Sequence, residues 1–169
     1  WLRETAERRA QPQNMWPEAR SAIVCAMNYG PDHNPMDNLA ATSMGNISVY
    51  ARGRDYHDVI KGKLKQLASR FVAKTGAAVK VFVDTAPLME KPLAAVAGAG
   101  WQGKHTNLVS RTAGSWLFLG VILTDLDLAA DPVFPPPETG DPETGDPETD
   151  RPETDTPGKD YCGSCRKCL

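Results

Sequence analysis

Val79-Lys80-Val81-Phe82-Val83-Asp84-Thr85-Ala86-Pro87 is the stretch on which the fold turns. Its β-branched and aromatic residues read as a strand over Val79–Val83 that delivers an acid, Asp84, at its C-terminal end. Upstream, Ile60, Leu64, Leu67, Ala68 and Phe71 recur at three- and four-residue steps within Asp58–Lys74. That spacing predicts an amphipathic helix, and Gly76 closes it. Lys61, Lys65 and Arg70 lie off the stripe and read as a solvated face. Downstream, Pro92 opens a second helix that runs to Val96 or Ala97 and stops at Gly98. Ser21–Met27 and Ser115–Thr124 read as buried strands, the second apolar on both faces. Strands alternating with helices predict a layered α/β or α+β core.

The rest of the first 131 residues is less regular. Residues 2–10 carry helix formers and many charges and predict an exposed helix, broken at Trp16-Pro17. Asn28 to Asn46 is rich in Gly, Pro, Asn and Asp and predicts a loop long enough to carry function. Ile47–Tyr50 reads as a short strand.

A length of 169 residues with 41% hydrophobic content suits one ordinary domain and an appendage. No apolar run approaches the roughly 18 residues that a membrane-spanning helix needs. The N-terminus has neither Met nor a signal-peptide layout, so the chain reads as cut from a longer, cytoplasmic protein. The net charge of −2 hides a division: residues 1–130 hold 15 Lys/Arg and 11 Asp/Glu, residues 131–169 hold 4 and 10. The mildly basic body permits an anionic partner without demanding one.

Residues 135–157 differ in kind. Pro-Glu-Thr-Gly-Asp repeats with a period of five from Pro137, degenerating after Asp146. No aliphatic or aromatic residue falls between Phe134 and Tyr161, so this stretch predicts a disordered tether. Three domains follow: 1–131, a linker over 132–159, and the start of another domain at 160–169.

The chemistry has several candidate positions. Cys162, Cys165 and Cys168 follow C-x₂-C-x₂-C spacing, which matches the start of a bacterial ferredoxin run and favours an iron–sulfur cluster over zinc. Cys25 sits in an apolar run and reads as a buried strand residue. Gly98-Ala99-Gly100-Trp101-Gln102-Gly103 has the form G-x-G-x-x-G, but a helix precedes it and Trp101 would crowd a pyrophosphate, so a dinucleotide site is rejected. Its glycines instead suggest a loop pressed against a neighbour. Asp84 is equally readable as a catalytic acid at a strand end or as a turn-former. His105, in a polar Gly-rich loop, is a better functional candidate than His33. Glu90-Lys91 reads as a local ion pair.

Val83 to Ala95, running into Ala97-Gly98-Ala99-Gly100-Trp101-Gln102-Gly103-Lys104-His105-Thr106-Asn107-Leu108, closely resembles the central motif of epoxyqueuosine reductases. Tyr50-Ala51-Arg52-Gly53-Arg54-Asp55-Tyr56-His57, Gly114–Gly120 and the terminal cysteine run are similar to that family too. The resemblance covers residues 1 to about 131 and 160–169. It implies an α/β cobalamin-binding reductase domain related to reductive dehalogenases, then the start of a ferredoxin-like domain. It also implies a cobalamin, two [4Fe–4S] clusters, a tRNA carrying epoxyqueuosine as substrate, an electron donor such as a flavodoxin or ferredoxin, and a monomer. Asp84 matches the family's proton donor. Ile47, Tyr56, His57, Asp84, Gln102, His105, Asn107, Leu108 and Leu119 fall in segments expected to line the cobalamin pocket, with Ile47 and Leu119 contributing backbone. Cys162, Cys165 and Cys168 match three ligands of the first cluster. The repeat stands where a short connection is expected, and the fourth cysteine is absent, so this chain by itself is expected to bind cobalamin poorly and not to turn over. The rivals are a reductive dehalogenase-like enzyme acting on a small molecule, and an inactive electron-relay or cobalamin-binding module.

Overall fold

The computed structural model describes residues 3–131. The repeat at 132–159 and the cysteines Cys162, Cys165 and Cys168 lie outside the described residues. The elements run α1 (Ala6–Ala10), β1 (Ser21–Asn28), α2 (Tyr56–Thr75), β2 (Val79–Phe82), α3 (Glu90–Val96), β3 (Trp101–Gln102), β4 (Leu108–Val109) and β5 (Leu117–Thr124).

The main sheet has three strands in the order β1-β5-β2, with β5 antiparallel to both neighbours. β1, α2 and β2 thus form a split β-α-β unit with β5 inserted between its parallel strands. The strand period of two sorts the side chains. Ile23, Cys25 and Met27 of β1, Val79 and Val81 of β2, and Phe118 and Ile122 of β5 pack with Ile60, Leu64 and Ala68 of α2. Val24, Phe82, Val121 and Leu123 turn to the other face, where Trp16, Ala19 and Leu93 of α3 cover them. Covering on both faces is why β5 is apolar throughout, and its residues from Gly120 to Thr124 are all buried. Gly120 sits where α2 crosses: a Cβ there would stand 2.4 Å from Leu64 Cδ1.

Asp55 caps α2 by accepting the His57 backbone N–H, and Gly76 ends it in the left-handed conformation at φ 71°. The apolar stripe is narrower than its spacing predicts. Ile60, Leu64 and Ala68 are buried, but Leu67 is exposed because it falls at the stripe's margin. Lys61, Lys65 and Arg70 face solvent, as expected.

Four expectations are corrected. Ile47–Tyr50 is not a strand: Val49–Ala51 forms a 3₁₀ turn and joins neither sheet. The loop from Asn28 holds a 3₁₀ segment at Pro35–Ala40, started by the Asn34 side chain accepting the Met36 N–H. The first helix is confined to Ala6–Ala10. Cys25 is half-buried rather than buried, because β1 is an edge strand, and burial pushes its thiol pKa up.

The G-x-G-x-x-G segment is a β-hairpin, β3 against β4. Gly100 and Gly103 serve close approach, as read, to the Val109 carbonyl and to the His105 ring, whereas Gly98 has open space around it and serves a positive φ of 76° instead. No helix among the described residues is long and apolar enough to cross a membrane.

Candidate active site

β1 and β2 run parallel, so their C-terminal ends share one edge of the sheet, together with the N-terminal ends of β5 and α2. Ligands of layered α/β proteins commonly sit at this edge. Asp84 stands one residue past the buried Val83 and is exposed. Its φ of 42° is positive, a conformation few side chains other than Asn and Asp adopt. The Tyr56 hydroxyl donates to Asp84 Oδ2 at 3.0 Å, and the Asp84 N–H donates to Glu90 Oε1 at 2.8 Å. Asp84 Oδ1 carries no hydrogen bond among the described residues.

An aromatic stack supports this acid. The Tyr56 ring lies on Phe118 at 4.1 Å and 5° between planes, and Phe118 lies on Tyr29 at 4.2 Å and 25°. His57 stacks on the other flank of Tyr56 at 3.9 Å. Burial, and then the Asp84 carboxylate, push the Tyr56 phenol up to about 12, so it stays a donor across neutral pH. His57 Nδ1 lies 2.7 Å from Asp55 Oδ1. A carboxylate there takes an N–H, which leaves Nε2 as the open ring nitrogen when His57 is neutral.

Beside the stack opens a cleft of roughly 330 Å³, lined by Tyr29, Tyr50, Tyr56, Phe118, Arg52 and Arg54 among others. Arg52 is tied down through Nε to the Ile47 carbonyl at 3.0 Å and through Nη2 to Asn46 Oδ1 at 3.1 Å. Arg54 is exposed at the cleft.

Tyr56, His57 and Asp84, singled out from the sequence, therefore meet. Gln102, His105, Asn107 and Leu108 form a second group on the β3–β4 hairpin, which packs on α3. The groups are joined at the start of α3. Glu90 holds Asp84, and Lys91 Nζ donates to Asn107 Oδ1 at 2.8 Å. Glu90 and Lys91 are thus not the ion pair their adjacency suggests, since neighbours on a helix diverge by about 100°. Within the hairpin Leu108 is buried at 4% exposure, while His105 Nδ1 is buried without a hydrogen-bond partner. Ile47 points its side chain to solvent at 64% exposure, and Arg52 takes its carbonyl. Leu119 lies mid-strand in β5 opposite Ala26. The sequence reading missed Tyr29, Arg52, Arg54, Phe118 and the role of Glu90. Only Arg52 and Arg54 had a hint, in the recurrence of Tyr and Arg over Tyr50–Tyr56.

The architecture has solved counterparts. Epoxyqueuosine reductase from Streptococcus thermophilus is similar over 97% of this chain with a TM-score of 0.69 and 28% identity. A selenomethionine-labelled epoxyqueuosine reductase matches 96% of the chain with a TM-score of 0.68 and 25% identity. A third, at 24% identity and a TM-score of 0.66, shares the fold and was solved with an epoxyqueuosine-modified tRNA-Tyr stem loop. Fold and site together define a mixed α/β domain of the epoxyqueuosine reductase type.

The sequences narrow this further. The family model described as "Epoxyqueuosine reductase QueG, DUF1730" matches residues 9–85. Epoxyqueuosine reductase from Xanthomonas campestris pv. campestris is 40% identical over 134 residues, covering 78% of this chain and 38% of that protein. The Burkholderia pseudomallei enzyme is 48% identical over 127 residues, covering 73% and 27%. The chain belongs to the epoxyqueuosine reductase family. It spans well under half the length of the relatives it matches.

Proposed function

We propose that this chain is the catalytic part of an enzyme that reduces epoxyqueuosine to queuosine at the wobble position of tRNA. The observation that carries the reading is Asp84, held by the Tyr56 hydroxyl whose ring lines an aromatic cleft, in a chain 40% identical over 134 residues to an epoxyqueuosine reductase. Removing the epoxide oxygen to leave an alkene consumes two electrons and two protons and releases water. An alkoxide is a poor leaving group, so an acid near the epoxide oxygen lowers the barrier. Asp84 supplies a proton from Oδ1 to that oxygen as its bond to carbon breaks. The Tyr56 hydroxyl at Oδ2 fixes the carboxyl's orientation and stabilises the carboxylate that remains. Arg54 offers positive charge beside the cleft to a nucleic-acid phosphate.

The reading includes cobalamin, and two features of the described residues fit it. The segment that carries Pro31, Val49 and Tyr50 into the cleft also exposes Met36, Leu39, Met44 and Ile47, an apolar flank suited to a large ring. His105 Nδ1 is a buried polar atom still in need of a partner. Tyr56, His57, Asp84, Gln102, His105, Asn107 and Leu108 would line the group's pocket, and Ile47 and Leu119 would add backbone contacts. When bound, cobalamin supplies the reducing electrons, fed from [4Fe–4S] clusters. The spacing of Cys162, Cys165 and Cys168 suits iron–sulfur ligation, and the resemblance to the family assigns them to the first cluster. The reading is completed by residues 1–131 as the cobalamin domain related to reductive dehalogenases, 132–159 as a linker, and 160–169 as the start of a ferredoxin-like domain. A cytoplasmic monomer served by a flavodoxin or ferredoxin is the corresponding setting.

The test is turnover of epoxyqueuosine-containing tRNA by the full-length enzyme. Asp84→Asn is expected to lower kcat about 10²–10⁴-fold with cobalamin still bound. Full turnover by that variant would overturn the assignment.

A further inference from the structure

Asp84 and Thr106 are the non-glycine residues with positive φ among the described residues. Such a conformation persists only where its surroundings hold it. At Asp84 the holding bond is not made by the strand it follows. Thr85 to Met89 form neither helix nor strand, and the backbone bonds there are local, from Leu88 N–H to the Ala86 carbonyl and from Glu90 N–H to the Leu88 carbonyl. Among the described residues, the one side chain that returns to the Asp84 backbone is Glu90. Its own position is firm. It opens α3, whose Ala94 is fully buried and whose Leu93 packs against Val121 and Leu123 of the central strand. Burial pushes the Glu90 carboxyl pKa up, and the Asp84 N–H pulls it back down by favouring the charged form.

We propose that Glu90 is a positioning residue for Asp84. Its carboxylate accepts the Asp84 backbone N–H and holds residue 84 in the left-handed conformation that aims its carboxylate at the Tyr56 hydroxyl. The importance of this latch rests on the proposed acid role of Asp84, but the latch itself does not. Without it the short loop is free to relax to negative φ, which turns the Asp84 side chain away from Tyr56 although β2, α2 and α3 remain folded.

The experiment is nuclear magnetic resonance on the full chain labelled with ¹³C and ¹⁵N, near neutral pH and without any cofactor. Glu90→Ala is expected to shift the Asp84 Cα resonance away from its left-handed value and to speed exchange of the Asp84 amide roughly ten-fold or more. Glu90→Gln keeps an oxygen acceptor and is expected to restore both. Glu90→Leu fills the half-buried space without an acceptor and should behave as the Ala variant, which guards against a simple packing defect. An unchanged Asp84 amide and Cα in a folded Ala or Leu variant would overturn the proposal. So would failure of Gln to restore them. In the full-length enzyme the Ala variant should lose kcat with little change in KM. If Asp84→Asn turns over normally while the Glu90 variants still move the Asp84 resonances, the acid role falls and the latch stands.

Discussion

The Tyr56 hydroxyl reaches Asp84 Oδ2 at 3.0 Å across 28 residues of chain, joining the first turn of the long helix to the end of a strand. The contact links a donor that stays protonated at neutral pH to the acid proposed to serve the reaction. Tyr56→Phe keeps the stack on Phe118 and removes only the hydroxyl. A hydrogen bond to a charged group is worth about 1.5–3 kcal/mol, so kcat should fall roughly 10- to 100-fold. Steady-state kinetics of the full-length variant, with circular dichroism confirming the fold, checks this.

The same phenol makes an alkaline prediction. Its folded pKa of about 12 lies above the ordinary value of 10.0. The folded state therefore keeps the proton longer than the unfolded chain. The resulting stability is fully present below pH 10 and is lost as pH rises toward 12. Urea denaturation across that window should show a steeper decline for the wild type than for Tyr56→Phe.

Gly120→Ala tests the packing of the long helix on the central strand. The added methyl would overlap Leu64 Cδ1, so the Leu64 side chain must shift within its packing against the sheet, while Ile60 Cγ2 would stand in contact at 3.4 Å. Overpacking of this kind costs about 1–3 kcal/mol. Combining it with Leu64→Ala should give a loss smaller than the sum of the two single losses, measured by urea denaturation.

Asp55 is predicted to matter on the acidic side. The His57 backbone N–H, and then the His57 side chain, hold its carboxyl below the usual range. Stability from this group is present above the ordinary carboxylate pKa and is lost as pH falls through the depressed folded value. Asp55→Ala should lower the melting temperature and flatten that acid dependence. Asp55→Asn should keep much of the helix cap while losing the charge. Thermal melts from pH 2 to pH 6 distinguish the two.

Lys91→Met removes the bond to Asn107 that ties the hairpin to the third helix. Hydrogen exchange should quicken for amides of residues 103–108 and stay unchanged in the central strand. Faster exchange throughout the sheet would mean that the lysine supports the whole domain instead.

Much of this layout is legible in the sequence because its signals are periodic or dense. The helix over Tyr56–Thr75 shows a buried stripe, and the central strand is apolar throughout because both its faces are covered. The hairpin strands, at two residues each, are too short to carry any period. Ile47–Tyr50 has strand composition yet joins neither sheet, because composition reports only a fit to a pleated surface. The site divides along similar lines. Asp84 could be picked out because a carboxylate directly follows an apolar run. Glu90 could not, since its partner is a backbone N–H whose direction depends on the turn between them. Tyr29 and Phe118 gather from distant strands and carry no local sign of doing so.

The strand order also sets a timetable. β1 and β2 pair only with β5, which is the last strand of the described chain to be synthesised. Until residues 117–124 leave the ribosome, both earlier strands wait with open edges, and the end of β2 that presents Asp84 has no sheet to stand on. Pairings so far apart in sequence are slow to form and leave exposed edges in the meantime. A nascent chain stalled before Leu117 is therefore the form most exposed to aggregation and most dependent on chaperones.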